Sequence, residues 1–438
     1  MINYLKISKF FLYLAPFSAA IVYQGTLFPF IVGKYVFFRI VVDLALVFFI
    51  WAWATNNRIA NYELRITNLL RQPLVIAVAI FTFIFVLAGF FGVNPTASFW
   101  SNFERGEGSL QLIHLFIFFA LLVAIFRDEK SWRKMFIVLV GVAALVIGYG
   151  LAGALNIGNF IGSNLCLRFS GSLGNAAYTG TYLIFAIFYA AYLAVEEKIK
   201  FKRLFFIGLS ALFFIFLLFT QTRGALLGLG VAVIAGLCYL FFSLPKGKIK
   251  KVILLSVVLL IVSGGLAIKY RRSINIMPFC SSEVGGGNRI LDVNFGTETF
   301  QTRLLLWKES IEAFKERPIL GWGPENFTVA FEKYYQPQFT TWYDRAHNIF
   351  FDYLVMTGML GLISFLGIFI VYYWQFFKSN CNKNQLSVIS YKSLVGKALL
   401  FALPIAYLVQ GLVLFDVLPI YINLFLFLAF ANWKFTSK

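Results

Sequence analysis

Runs of about 17–25 mostly apolar residues recur along the whole chain, and no other feature limits its fold so strongly. Each run is long enough to cross roughly 30 Å of hydrocarbon as a helix. About twelve spans are expected, near 10–30, 33–54, 73–93, 110–126, 135–153, 176–195, 204–220, 224–243, 252–268, 348–374, 397–415 and 420–433. The ten-residue alternation of a transmembrane strand is absent, which argues against a barrel. The fold class read from this pattern is all-α, a polytopic membrane protein. No small-residue cleavage site follows Pro29, so the first segment reads as a helix rather than a signal peptide.

Composition fits lipid as the solvent. Of 438 residues, 60% are apolar and 13% charged, against roughly 45–50% and about 25% in soluble domains. A net charge of +19 raises the question of nucleic acid, and its distribution answers it. The N-terminus, segments 55–72, 127–134, 196–203, 244–251 and 375–397, and the C-terminus hold 23 of the 38 Lys and Arg but only 5 acids. Basic residues gathered at one set of helix ends are the positive-inside signature, which puts both termini in the cytoplasm. No nucleic-acid partner is needed to explain the charge.

The expected organisation is one integrated membrane domain: spans over 1–268, a large extracytoplasmic loop over 269–347, and further spans over 348–438. The loop carries ten basic residues and nine acids. Its centre reads as an amphipathic helix over 302–316, with Trp307, Ile311 and Phe314 on one face and Lys308, Glu309, Glu312, Lys315 and Glu316 largely elsewhere. Pro318 stops this helix, Gly321-Trp322-Gly323-Pro324 forms a turn, and a second short helix follows over 325–335. Gly224 with Gly228, and Gly358 with Gly361, Ser364 and Gly367, read as close helix packing in lipid. Cys166 and Cys280 both fall outside, where a disulfide would persist; two unpaired thiols are the plainer reading.

Ionisable groups at the outer ends of the spans are few. Arg223, in Gln221-Thr222-Arg223-Gly224, is pinned between two spans and either snorkels to the interface or faces an anion. Arg303 opens the amphipathic helix and either pairs with an acid or meets a phosphate, for which a guanidinium fork is well shaped. His347, in Asp344-Arg345-Ala346-His347-Asn348, is either a capping residue or a proton-transfer group. Glu104 and Arg105 end a further cluster, and Gln111 and His114 share a helical face beyond it. Arg168 precedes Ser170-Gly171-Ser172-Leu173-Gly174-Asn175. For these last groups, structural and substrate-binding roles weigh equally.

Arginines and a histidine gathered beside lipid, away from nucleotide supply, point to an anionic, phosphate-bearing, lipid-linked substrate. No phosphate-binding Gly-rich loop and no metal-ligand cluster is evident, so neither cofactor nor metal is expected. A transporter or lipid flippase would place charges near the midplane on broken helices. Asp43 is the one acid well inside a span, with Asp352 in the outer part of another, so that reading is weaker.

The same residues resemble the O-antigen ligase family, which also covers O-antigen polymerases and protein O-oligosaccharyltransferases. The matching motifs are Arg168-Phe-Ser-Gly-Ser-Leu-Gly-Asn175, Gln221-Thr-Arg-Gly-Ala-Leu-Leu-Gly228, Arg303-Leu-Leu-Leu-Trp-Lys308, Pro318-Ile-Leu-Gly-Trp-Gly-Pro-Glu-Asn-Phe327 and Arg345-Ala-His-Asn-Ile-Phe-Phe-Asp-Tyr-Leu354. They run in family order over 168–361. The resemblance implies a GT-C-like fold and metal-independent glycan transfer from undecaprenyl diphosphate at the outer face of the bacterial cytoplasmic membrane. The acceptor would be a glycolipid, a glycan or a protein. By motif position Arg223 and Arg303 match the diphosphate-binding arginines and His347 the essential histidine, with Arg345 in support. Asn175-Ala176-Ala177 departs from the family's Asn-Pro-Asn, so no contact is carried over there.

Overall fold

The computed structural model describes residues 3–55, 71–102, 104–165, 168–245, 247–270, 298–339, 341–380 and 391–436. Cys166, Cys280 and Cys381 lie outside them, and with them the question of a disulfide. All regular structure among the described residues is helical. Among the described residues fifteen α-helices follow one another: α1 (Tyr4–Leu14), α2 (Val32–Thr55), α3 (Pro73–Phe90), α4 (Pro95–Trp100), α5 (Ser109–Ile125), α6 (Glu129–Ala154), α7 (Ala176–Glu196), α8 (Lys200–Phe219), α9 (Arg223–Ser243), α10 (Lys248–Lys269), α11 (Glu298–Glu316), α12 (Phe327–Lys333), α13 (Ile349–Asn380), α14 (Tyr391–Gly411) and α15 (Leu418–Thr436).

Ten of these are long and apolar enough to cross a membrane, and α5 is a shorter apolar helix of 17 residues. The chain is a polytopic all-helical membrane protein. The first expected span differs: α1 ends at Leu14 and a 3₁₀ turn over Ala15–Ala20 follows, with Pro16 at its start. Proline supplies no amide hydrogen and its ring crowds the preceding turn, so an α-helix kinks or breaks there; at Pro16 it gives way to the 3₁₀ turn.

The chain divides into two compact units. One comprises Met1–Met135, Gly296–Cys381 and Leu414–Lys438; the other Phe136–Phe295 and Asn382–Val413. In the first, α15 is buried along almost its whole length, with Phe425 edge-on to Phe119 of α5 and Phe430 against Trp132. In the second, α9 packs closely on α14. A Cβ at Gly228 would come 2.7 Å from the Ala406 carbonyl oxygen, so the small residue is what lets the two backbones meet.

Gly358 does more than pack. It breaks α13 with φ +64°, a left-handed conformation that costs glycine nothing. A Cβ there would lie 2.3 Å from the Ile319 carbonyl oxygen. The turn after α11 docks into this kink, with Trp322 N donating to Val355 O (2.8 Å), Gly323 N to Met356 O (2.9 Å) and Met359 N to Pro318 O (2.8 Å). The kink thereby fixes the loop helices against the end of a span.

The buried face of α11 is rotated from the expected one. Leu306, Glu309, Ser310 and Ala313 are buried, whereas Ile311 is 40% exposed. Glu309 is therefore buried on the same face as Leu306 and Ala313, with no hydrogen-bond partner for either carboxyl oxygen among the described residues, and burial pushes it up to about 7.

Candidate functional site

Several charged groups at the end of the first unit are held by non-local contacts. The segment 344–348 leads into α13, whose first turn is capped by Asn348 Oδ1 accepting from Phe350 N at 2.9 Å. Just before the cap, His347 takes φ +51°, which is uncommon for a non-glycine residue. Two contacts brace the preceding peptide: Trp307 Nε1 donates to Ala346 O (3.0 Å), and Ala346 N donates to Asp352 Oδ1 (2.7 Å). The imidazole stacks on Phe415 with centroids 5.2 Å apart and meets Tyr343 edge-on at 5.5 Å. Its Nδ1 is buried without a hydrogen-bond partner among the described residues.

Burial, and then the nearby charge of Arg303, push His347 down from 6.5 to about 4; Asp344 opposes this and Arg105 adds to it. The ring is therefore neutral at physiological pH and able to accept a proton. Arg303 and His347, read separately from the sequence, fall within electrostatic reach of each other.

Arg345 has a different setting. Its side chain is 6% exposed and bridges Glu325, in a close contact, and Glu107 at 3.4 Å. Burial works against its charge, but Glu325, Glu107, Asp344 and Asp352 more than offset that and raise it well above its usual value. With two carboxylates around one guanidinium, burial wins at the more distant one: Glu107 is pushed up to about 8, although Arg345 and Arg105 pull it down. Glu325 also accepts from Ser101 Oγ at 2.7 Å. Arg105 is committed as well, its Nε and terminal nitrogen each 2.6 Å from Asp344 Oδ2, with the guanidinium over the Phe415 ring. Glu104 sits half-buried in the same turn.

The second unit holds Arg168 and Arg223, both half-buried. Arg223 opens α9, and Thr222 Oγ1 donates to Ala176 O at 3.1 Å. Phe169 N, one residue beyond Arg168, donates to Phe219 O at 2.9 Å. The segments bearing the two arginines are thus tied together at one end of that unit.

Residues 208–366 match the family O-antigen ligase. Over that stretch the chain is similar to the O-antigen ligase family. No curated protein matches the chain. The O-antigen ligase region contains Arg223, Arg303, Arg345 and His347, and it leaves out Glu104, Arg105, Glu107 and Arg168. Its function is membrane glycosyltransferase-like. Among the described residues, no group of three or more His, Cys, Asp and Glu is placed to hold a metal ion.

Two titrating groups of this cluster bear on stability with opposite sign. Glu107 is raised from 4.5 to about 8 on folding, so its stabilising contribution is complete below about pH 4.5 and is lost as pH rises towards 8. His347 is lowered from 6.5 to about 4, so its contribution is complete above about pH 6.5 and is lost as pH falls towards 4. Glu107→Gln is expected to flatten the alkaline decline between about pH 5 and 8, by about 1–3 kcal/mol, and to leave the acid decline in place. Thermal unfolding of both proteins across that range checks this; an unchanged alkaline limb in the variant would refute it.

Proposed function

We propose that this protein transfers a glycan from undecaprenyl diphosphate to an acceptor hydroxyl, metal-independently, at the outer face of the bacterial cytoplasmic membrane. The observation that carries the reading is a neutral, aromatic-stacked His347 within electrostatic reach of Arg303, in a region matched to O-antigen ligase. Arg303 binds the donor diphosphate. Arg223 belongs to the other unit, and its role on the same diphosphate rests on the family motif alone.

Transfer forms a bond from the acceptor oxygen to the sugar's anomeric carbon and breaks the bond from that carbon to the diphosphate. Fixed guanidiniums stabilise the charge growing on the leaving oxygen. His347 takes the acceptor proton. A diphosphate on Arg303 offsets one of the charges that hold the imidazole down, so the donor strengthens its own base. Arg345 and Arg105 are already engaged by carboxylates and serve as positioning residues. Arg168 and Glu104 are assigned to substrate contact from their places in the sequence alone. A polymerase or a protein O-oligosaccharyltransferase would share the donor half of this reaction and differ in the acceptor.

The test uses purified protein in lipid vesicles, with an undecaprenyl diphosphate-linked oligosaccharide and a glycolipid acceptor. Release of undecaprenyl diphosphate is expected at an undiminished rate in EDTA. Activity that EDTA abolishes and Mg²⁺ or Mn²⁺ restores would put the protein in another mechanistic class, and failure to consume the donor would overturn the donor assignment.

A further inference from the structure

Asp43 and His114 lie away from the site and outside the matched region, yet they put two ionisable side chains within a span. Asp43 sits eleven residues into α2 (43 − 32), about 16 Å from its start at 1.5 Å per residue. Its side chain is 57% exposed, on a helix face otherwise made of Val36, Ile40, Val47 and Ile50, all exposed. A carboxyl at that depth is costly in lipid and persists where it has a function.

The hydrogen bonds of His114 decide its state. Nδ1 lies 2.7 Å from Leu110 O, and a carbonyl oxygen can only accept, so this nitrogen carries a hydrogen. Nε2 lies 3.1 Å from Asp43 Oδ1. In a neutral imidazole with hydrogen on Nδ1, Nε2 is an acceptor, and so is a carboxylate oxygen. Two acceptors do not face each other at this distance without a proton between them.

We infer that His114 and Asp43 form an intramembrane proton-binding dyad, holding one proton between Nε2 and Oδ1. Loaded, the pair is neutral; emptied, it leaves a carboxylate against hydrocarbon. The surrounding charges are engaged elsewhere. Arg39, one turn away on α2, donates from Nε to Gln111 Oε1 (2.8 Å) and from a terminal nitrogen to Gly106 O (2.7 Å), over the Tyr35 ring. On α1, packed against α2, Lys9 is held by Asp128 and Ser131. The Arg39 contacts thus tie Gln111 to Gly106 rather than to the dyad.

The dyad is independent of glycan transfer and is tested without it. Dicyclohexylcarbodiimide partitions into lipid and adds to carboxylic acids but not to carboxylates. Protein in phosphatidylethanolamine–phosphatidylglycerol vesicles is treated across a pH series and the adducts are located by peptide mass spectrometry. An adduct on Asp43 is expected at neutral pH, with about tenfold less of it at the same pH in His114→Ala. No adduct on Asp43, or the same pH dependence in both proteins, overturns the proposal. Infrared difference spectroscopy gives a second reading should His114→Ala not fold. In the wild-type minus Asp43→Asn difference, a carboxylic-acid carbonyl band that disappears on alkalinisation is expected over those of Glu107 and Glu309, which both proteins share; no such difference band also overturns the dyad.

Discussion

His347→Ala is expected to slow transfer by about 10²–10⁴, the usual worth of a positioned general acid or base, while donor affinity stays near that of the wild type. The imidazole is neutral and its Nδ1 has no partner among the described residues, so its removal deletes a proton acceptor without stranding an ion pair. The arginines should behave differently. Arg303→Ala and Arg223→Ala are expected to weaken donor binding by about 10–150-fold, the equivalent of roughly 1.5–3 kcal/mol for a charge-assisted contact. Lysine at either position should rescue only in part, since a point charge lacks the bidentate fork. The measurements are donor affinity and single-turnover transfer at matched thermal stability. Normal transfer by His347→Ala would leave the histidine a packing residue between Phe415 and Tyr343.

The length and spacing of the apolar runs made the helical bundle legible, because crossing hydrocarbon demands satisfied backbone groups over a fixed length. The exception is instructive. Around Pro16 the apolar content is unchanged while the α-helix gives way to a 3₁₀ turn, so hydropathy and geometry part company there. The face of α11 was misjudged for a related reason: apolar periodicity marked Ile311, but packing against 322–356 is set by the docked turn, which buries Glu309 instead.

At the site, residue types were legible and their partners were not. Arg303 and His347 stood out as ionisable groups at span ends, and the fold brings them into electrostatic reach. Nothing local to Arg345 shows that Glu107, 238 positions away, and Glu325, 20 positions away, close around it. A buried pair of this kind is a product of tertiary structure. Glu107 and Asp352 were missed as site-supporting groups for the same reason, and Arg39 gave no signal beyond being a cation in an apolar run.

The committed state of Arg345 leads to the other large expected effect. Were Arg345 a donor ligand, Arg345→Met would leave a stable protein that binds donor poorly. The structure points the other way, since its side chain is 6% exposed and both acidic partners are nearly as buried, at 4% for Glu325 and 8% for Glu107. Removing one member of a buried pair strands the rest, at a cost of about 3–5 kcal/mol, whereas replacing all members with neutral groups is often close to neutral. Arg345→Met is therefore expected to lose about that much stability, and adding Glu325→Gln and Glu107→Gln should restore most of it. Loss of transfer should track the loss of fold, because the same bridge holds the segment that presents His347. Unfolding of the single and triple variants, with donor affinity measured on whatever remains folded, separates the two roles. A stable Arg345→Met that has lost donor affinity would move this arginine from the scaffold into the binding site.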